Sequence, residues 1–229
     1  MNVGLAGNNG ESKTYLRLSY LEYYSDSMHP FYRHPLFGIV SRMRVQWIIR
    51  KLSGLGKKVV LDAGCAAGFF SLRFAEAGFA VVPFDVCRDA VADFSRKLRS
   101  TAFGNVMQPS VADVYHIPFK ARTVDAVVCS EVIQFLPSLD EVMCEFGRVL
   151  KEDGVLVVSF GNQRKRRIFY PLLRFMGLNP DVIEKTFPHE HDMRGVVSSV
   201  KGLFSLEDVM HVPSRLFPLS TIVFFRKNK

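Results

Sequence analysis

The stretch VVLDAGCAAGFFSLRF, Val59 to Phe74, decides the fold. A short apolar run, Val59–Leu61, leads into Asp62. Four small residues, Gly64, Ala66, Ala67 and Gly68, then form a turn, and an amphipathic helical pattern opens at Phe69. Small residues in such a turn let a ligand come close to the main chain. Strand, tight turn and helix in that order begin a βαβ unit, and in an open parallel sheet the carboxyl end of the first strand is a ligand-binding crevice.

Outward from this stretch the same alternation continues. Ala80–Phe84, Asn105–Met107, Ala126–Cys129 and Val155–Phe160 read as strands, and Phe69–Ala77, Ala90–Arg99 and Leu139–Leu150 as helices. A parallel sheet covered on both faces follows. Pro83 lacks a ladder donor and belongs where the ladder of its strand ends. Before the core, Leu36 to Leu52 has apolar residues at helical spacing with Arg42, Arg44, Arg50 and Lys51 between them, and Ser53-Gly54 stops it. Two His-Pro steps, at 29–30 and 34–35, break any helix upstream. After Phe160 the pattern loosens until Ser205–Met210, read as a short helix capped by Ser205, and a last strand, Thr221–Phe225.

The chain has 229 residues, of which 48% are apolar and 23% charged, enough for a sizeable core and unlike a disordered chain. No apolar run reaches the ~20 residues of a membrane-spanning helix, and no signal-peptide pattern opens the sequence, so a cytoplasmic location is expected. Cys65, Cys87, Cys129 and Cys144 stand singly, which indicates neither a zinc site nor a disulfide framework. The net charge of +8 is unevenly spread: +6 over residues 1–60, −4 over 61–160 and +6 over 161–229. Basic flanks around an acidic middle suit an anionic acceptor or membrane surface, or serve solubility alone.

The spacing separates two cofactor classes. A dinucleotide turn of the form G-x-G-x-x-G requires a small residue at 69, where Phe69 stands; the pattern is D-x-G-x-A-x-G instead. Asp62 at the strand end would repel a pyrophosphate and suits a ligand carrying an ammonium group.

At these residues the chain resembles the class I S-adenosylmethionine-dependent methyltransferases, in texture the type 11 members, over Val59 to Phe160. The resemblance implies a Rossmann-like, seven-stranded, mostly parallel α/β sheet with helices on both faces and S-adenosyl-L-methionine as cofactor. Asp62, Gly64, Ala66 and Gly68 match the first motif, with Ala66 replacing a glycine. Asp85, followed by Val86, stands where the family grips the ribose hydroxyls. Asp113 and the backbone of Val114 match the adenine-binding motif, and Glu131 opens SEVIQF, where many members read E-V-L-E-H. Phe135 replaces that histidine, so no catalytic role is carried over to it. Singly, each motif also fits a duller role: a tight turn, a helix cap, a solvated acid.

Around the core, residues 1–14 read as a flexible tail, 15–58 as an N-terminal lid and first helix, 161–204 as a helical cap insertion for the substrate, and 205–229 as completion of the sheet. Proton acceptors are sought in the flanks: Tyr24 and His29, with Tyr23 and His34 nearby, and His189 and His191. His189, His191 and Asp192 share one face of an extended segment but lack a fourth metal ligand, and no metal is expected. Arg164, Lys165, Arg166, Arg167 and Arg174 interleave with apolar residues, as in a segment that lies on an anionic bilayer or meets a phosphate-bearing lipid. The expected activity is methyl transfer to a small or lipid-like anionic metabolite. The alternatives are an RNA methyltransferase using the basic flanks and a non-catalytic cofactor-binding partner protein. Nucleic acid is disfavoured because SEVIQF replaces the N-P-P-Y-type tetrapeptide of many nucleic-acid methylators.

Overall fold

In the computed structural model the described residues are 35–162, 167, 168, 170–175, 189, 191–216 and 218–228. Seven strands form one sheet: β1 (Val59–Ala63), β2 (Ala80–Asp85), β3 (Ser110–Val111), β4 (Val124–Ser130), β5 (Leu150–Gly161), β6 (Phe204–Pro213) and β7 (Pro218–Lys227). Their spatial order is β3-β2-β1-β4-β5-β7-β6. The first five run parallel, and β7 enters antiparallel between β5 and β6. The expected Rossmann-like, mostly parallel sheet is therefore present.

Parity along the strands explains the two covered faces. Leu61, Val127, Leu156 and Phe225 point to one side, where α4 (Asp140–Val149) and α6 (Met193–Ser199) pack. Val60, Ala126, Val157 and Phe224 point to the other, under Val45, Ile48 and Leu52 of α1 (Pro35–Gly54). Successive residues of a strand face opposite sides, so only near-continuous apolar runs can fill both layers. The crossovers α2 (Phe69–Glu76) and α3 (Arg88–Leu98) follow β1 and β2, and α5 (Tyr170–Phe175) lies between β5 and α6. Helix α1 starts at Pro35, a residue suited to a first helical turn because its missing N–H has no intrahelical partner there.

Two elements differ from the sequence reading. Residues 105–107 lie in turns, and the edge strand comes later, at Ser110–Val111. The Thr101 hydroxyl donates to the Leu98 carbonyl and accepts from the Phe103 N–H, a local turn that keeps this stretch folded against the end of α3. Ser205–Met210 is not a helix but part of β6, paired along its length with β7. The four-residue cap signal loses to ladder pairing beside the apolar TIVFF run of β7. Pro83 sits before β3 begins to pair with β2, at Phe84↔Ser110, so the ladder misses no donor on that side.

The turn after β1 depends on glycine at two places. Gly64 and Gly68 both have φ of 83°, in the left-handed region, and a Cβ on Gly68 would overlap the Phe94 ring. Gly78 shares the left-handed conformation (φ 89°) but faces open space. Gly68→Ala is expected to destabilise the fold by ~2–4 kcal/mol, combining backbone strain with overpacking, and Gly78→Ala by only about 1 kcal/mol. Urea titrations of both variants measure the difference; equal losses would mean that the Phe94 contact contributes nothing.

Candidate active site

The carboxyl ends of β1, β2 and β4 meet where the strand order reverses, and three loops converge there. The turn 64–68 is pinned from its side by β2: the Gly64 and Cys65 N–H groups donate to the Phe84 carbonyl at 2.9 and 3.0 Å, and the Ala66 N–H donates to Asp85 Oδ2 at 2.9 Å. Asp85 Oδ1 accepts from the Cys87 N–H at 2.9 Å, beside exposed Val86. Ala66 itself has φ of 47°, so alanine holds a left-handed conformation where the resemblance has glycine.

Asp62 lies beneath this turn, 2% exposed, and its Oδ2 accepts from the Ser71 hydroxyl of α2 at 2.5 Å. Burial, reinforced by the nearby Asp85 charge and opposed by the Ser71 hydrogen bond, pushes its pKa up to about 7. Next to β3, Asp113 Oδ1 accepts from the Tyr115 N–H at 3.0 Å, and the Val114 side chain is buried in the core. The sequence-derived residues Asp62, Gly64, Ala66, Gly68, Asp85 and Val86 are thus brought together, with Asp113 and Val114 following β3 at the same end of the sheet.

Glu131 lies differently from a residue open to a ligand. It leaves β4 with φ of 58° and its carboxylate turns into the protein, where Oε1 accepts from Arg44 Nη1 at 2.5 Å and from the Ser220 hydroxyl at 3.0 Å, and Oε2 accepts from Gln134 Nε2 at 3.0 Å. Val132, the next residue, packs so closely over Gly64 that a Cβ there would overlap it. The 3-10 turn Ile133–Phe135 then carries two attachments from the segment before α6. The His189 N–H donates to the Gln134 carbonyl at 3.1 Å, and His191 Nε2 lies 2.8 Å from the Leu136 carbonyl. Burial and the neighbouring His191 hold His189 below the usual imidazole pKa. Asp192 caps α6, accepting from the Gly195 N–H, and among the described residues no cluster of His, Cys, Asp and Glu could hold a metal ion. Tyr23, Tyr24, His29, His34, Arg164, Lys165, Arg166 and Glu190 lie outside the described residues.

Residues 61–158 match the family described as methyltransferase domain. Over this stretch the chain is similar to S-adenosylmethionine-dependent methyltransferases. It is similar to a malonyl-(acyl-carrier protein) O-methyltransferase of Hamiltonella defensa, with 28% identity over 112 residues that cover 49% of this chain and 41% of that protein. A ubiquinone biosynthesis O-methyltransferase of Glaesserella parasuis shares 27% over 128 residues, 55% and 54% of the two chains. The chain spans about half the length of the curated relatives it matches. The crystal structure of magnesium protoporphyrin IX methyltransferase from Synechocystis PCC 6803, solved with bound SAM, superposes over the whole of both chains with a TM-score of 0.69 at 18% identity, a likeness of fold.

Three residues around this crevice escape sequence reading. Arg44 reads as one of the solvated cations of α1, yet it is 4% exposed and stacks 5.2 Å from the Phe70 ring centroid. Gln134 and Ser220, both buried, complete its network. No local signal joins Arg44 to a carboxylate 87 positions away; on the buried stripe of α1 it stands with Ser41 among apolar residues.

Asp62 generates a prediction. Its folded pKa near 7 lies above the ordinary 3.8, so the folded chain binds more protons than the unfolded chain between those values. Its stabilising contribution is present below about pH 4 and is lost as pH rises through 7. Asp62→Asn retains an acceptor for Ser71 and removes the titration. The variant's stability advantage over the wild type, measured by urea unfolding, should grow from pH 4 to pH 8. A constant difference across that range would mean that Asp62 does not titrate there.

Proposed function

We propose that this methyltransferase transfers the methyl group of S-adenosylmethionine to an oxygen of a small or lipid-like, anionic acceptor. The observation that carries the reading is the turn 64–68, drawn by Asp85 over the buried carboxyl of Asp62. A buried carboxyl poised near neutrality favours a cationic group outside the turn and disfavours a phosphate. Asp85 adds a diol-binding group, because a carboxylate oxygen that already accepts one main-chain N–H has room for a second hydrogen bond.

The residues present therefore fit the cofactor. Asp62 would face its ammonium group through the turn, Asp85 its ribose, and Asp113 with the Val114 backbone its adenine. When bound, it supplies an activated methyl group on a sulfonium. The chain's own contribution is alignment: holding a nucleophile in line is worth several of the ~7–11 kcal/mol that orientation can supply. An oxygen nucleophile is supported by the two O-methyltransferase relatives. A lipid-like anionic acceptor is supported by Ile168 and Phe175, strongly exposed beside Arg167 and Arg174 in the segment before α6. No helix among the described residues is long and apolar enough to cross a membrane, so contact with a bilayer would be peripheral.

Calorimetry is expected to show binding of S-adenosylmethionine and of its demethylated product, and none of NAD. Asp85→Ala should weaken cofactor binding by about 10–100-fold, the loss of a charge-assisted hydrogen bond or two, in a chain whose circular dichroism is unchanged. NAD binding without response to either sulfur ligand would overturn the cofactor, and unchanged affinity in the folded variant would remove Asp85 from the site. Transfer of labelled methyl groups into fractionated extract decides the acceptor: counts in organic or small anionic fractions support the reading, and counts in RNA would replace it.

A further inference from the structure

The two histidines that precede α6 are held against the very turn that ends β4. Three bonds fix them: the His189 N–H to the Gln134 carbonyl, His191 Nε2 to the Leu136 carbonyl, and the Asp192 cap on Gly195. The imidazole centroids lie 6.2 Å apart. The contact of His191 defines its tautomer. A carbonyl oxygen only accepts, so Nε2 must carry the hydrogen, and in the neutral ring Nδ1 keeps the lone pair. The turn beneath, Ile133 to Leu136, has no titratable side chain; among the described residues His189 and Asp192 are the titratable neighbours on the segment itself, and Glu190, between the two histidines in sequence, lies outside the described residues. Val132, one residue before that turn, rests on Gly64, which places the histidines at the same end of the sheet as the cofactor turn.

We propose that His191 is the catalytic base of this methyltransferase, taking the proton of an acceptor hydroxyl on Nδ1 while the Leu136 carbonyl holds Nε2–H. The inference rests on the methyl-transfer reading above and narrows it to hydroxyl acceptors. The hydroxyl O–H bond breaks toward Nδ1 as the oxygen bonds to the methyl carbon. The bond from that carbon to sulfur breaks with its electron pair left on sulfur, giving the methyl ether, the thioether and an imidazolium that returns its proton to water. His189, held below the usual imidazole pKa, adds no positive charge beside it near neutral pH. Phe135, which offers no proton acceptor, is consistent with the base arriving from outside the turn.

Two variants separate chemistry from scaffolding. His191→Gln keeps a donor for the Leu136 carbonyl and loses the lone pair of Nδ1, whereas His191→Ala loses both. Methyl transfer is followed with 3,4-dihydroxybenzoate, which must lose a proton, and with decanoate, whose carboxylate need not. His191→Gln is expected to lower kcat on the phenolic probe about 10²–10⁴-fold, to leave KM, decanoate transfer and calorimetric affinity for S-adenosylmethionine nearly unchanged, and to abolish the acidic limb of the pH profile. Nitrogen-15 imidazole spectra of the wild-type protein should show His191 as the Nε2–H tautomer. An Nδ1–H tautomer, or phenolic transfer that survives in His191→Gln, would overturn the assignment. Equal losses on both probes would make His191 a positioning residue and overturn it too. If the wild type binds the cofactor but methylates neither probe, the hydroxyl-acceptor role of His191 falls while the cofactor site stands; if it fails to bind the cofactor, the methyl-transfer reading itself falls.

Discussion

The Asp85 carboxylate is the constraint on which the rest of the site depends. One oxygen takes the main-chain N–H of Ala66, in the turn after β1, and the other that of Cys87, at the start of α3. Hydrogen bonds to an anionic acceptor are among the stronger ones in proteins, and here they tie two βα loops from adjacent strands into one rim. The left-handed conformation of Ala66 is costly and persists because this rim over-determines it, whereas Gly64 and Gly68 adopt theirs without strain. Asp62 is sealed beneath as a consequence, and its raised pKa reflects the exclusion of water that the rim achieves.

A second network serves the other half of the crevice. Arg44 and Glu131 form an ion pair inside the protein, completed by Ser220 and Gln134. Such a pair is expensive to desolvate, and breaking it by removing one partner typically costs 3–5 kcal/mol because a charge is left buried alone. Its value here is geometric. It connects α1, the end of β4 and β7 at one point, and it holds Glu131 in the left-handed bend that sets Val132 on Gly64. Among the described residues the Nε of Arg44 and the Oε1 of Gln134 have no hydrogen-bond partner.

Much of this architecture is legible in the residues. Val59 to Phe74 specifies a strand, a turn and a helix because each segment has its own period and the turn has no large side chain. Asp85 can be found because it ends the next apolar run. The failures share a cause. Ser205 with Asp208 looks like a helix start only until β7 offers a ladder, and the Asn105–Met107 run, short and polar-flanked, loses its strand to the turn chemistry of Thr101. Arg44 beside Glu131 and His191 beside Leu136 join positions dozens of residues apart, which no local pattern encodes. The sequence does place both histidines among the possible bases; the backbone contact that selects a tautomer becomes visible only in three dimensions.

The position of β7 has a consequence for how the chain reaches this state. It follows β6 in sequence yet lies between β5 and β6, so β6 has no ladder partner until β7 has been synthesised. Until then β5, twelve residues long and largely buried in the finished sheet, presents an open apolar edge, the kind of edge on which strands of other chains pair. Pairings of this sort close late because they join distant segments. The nascent protein is therefore most vulnerable to aggregation in the interval between emergence of the crevice at β1, β2 and β4 and arrival of its penultimate strand in space, a hazard set by topology and independent of any residue of the site.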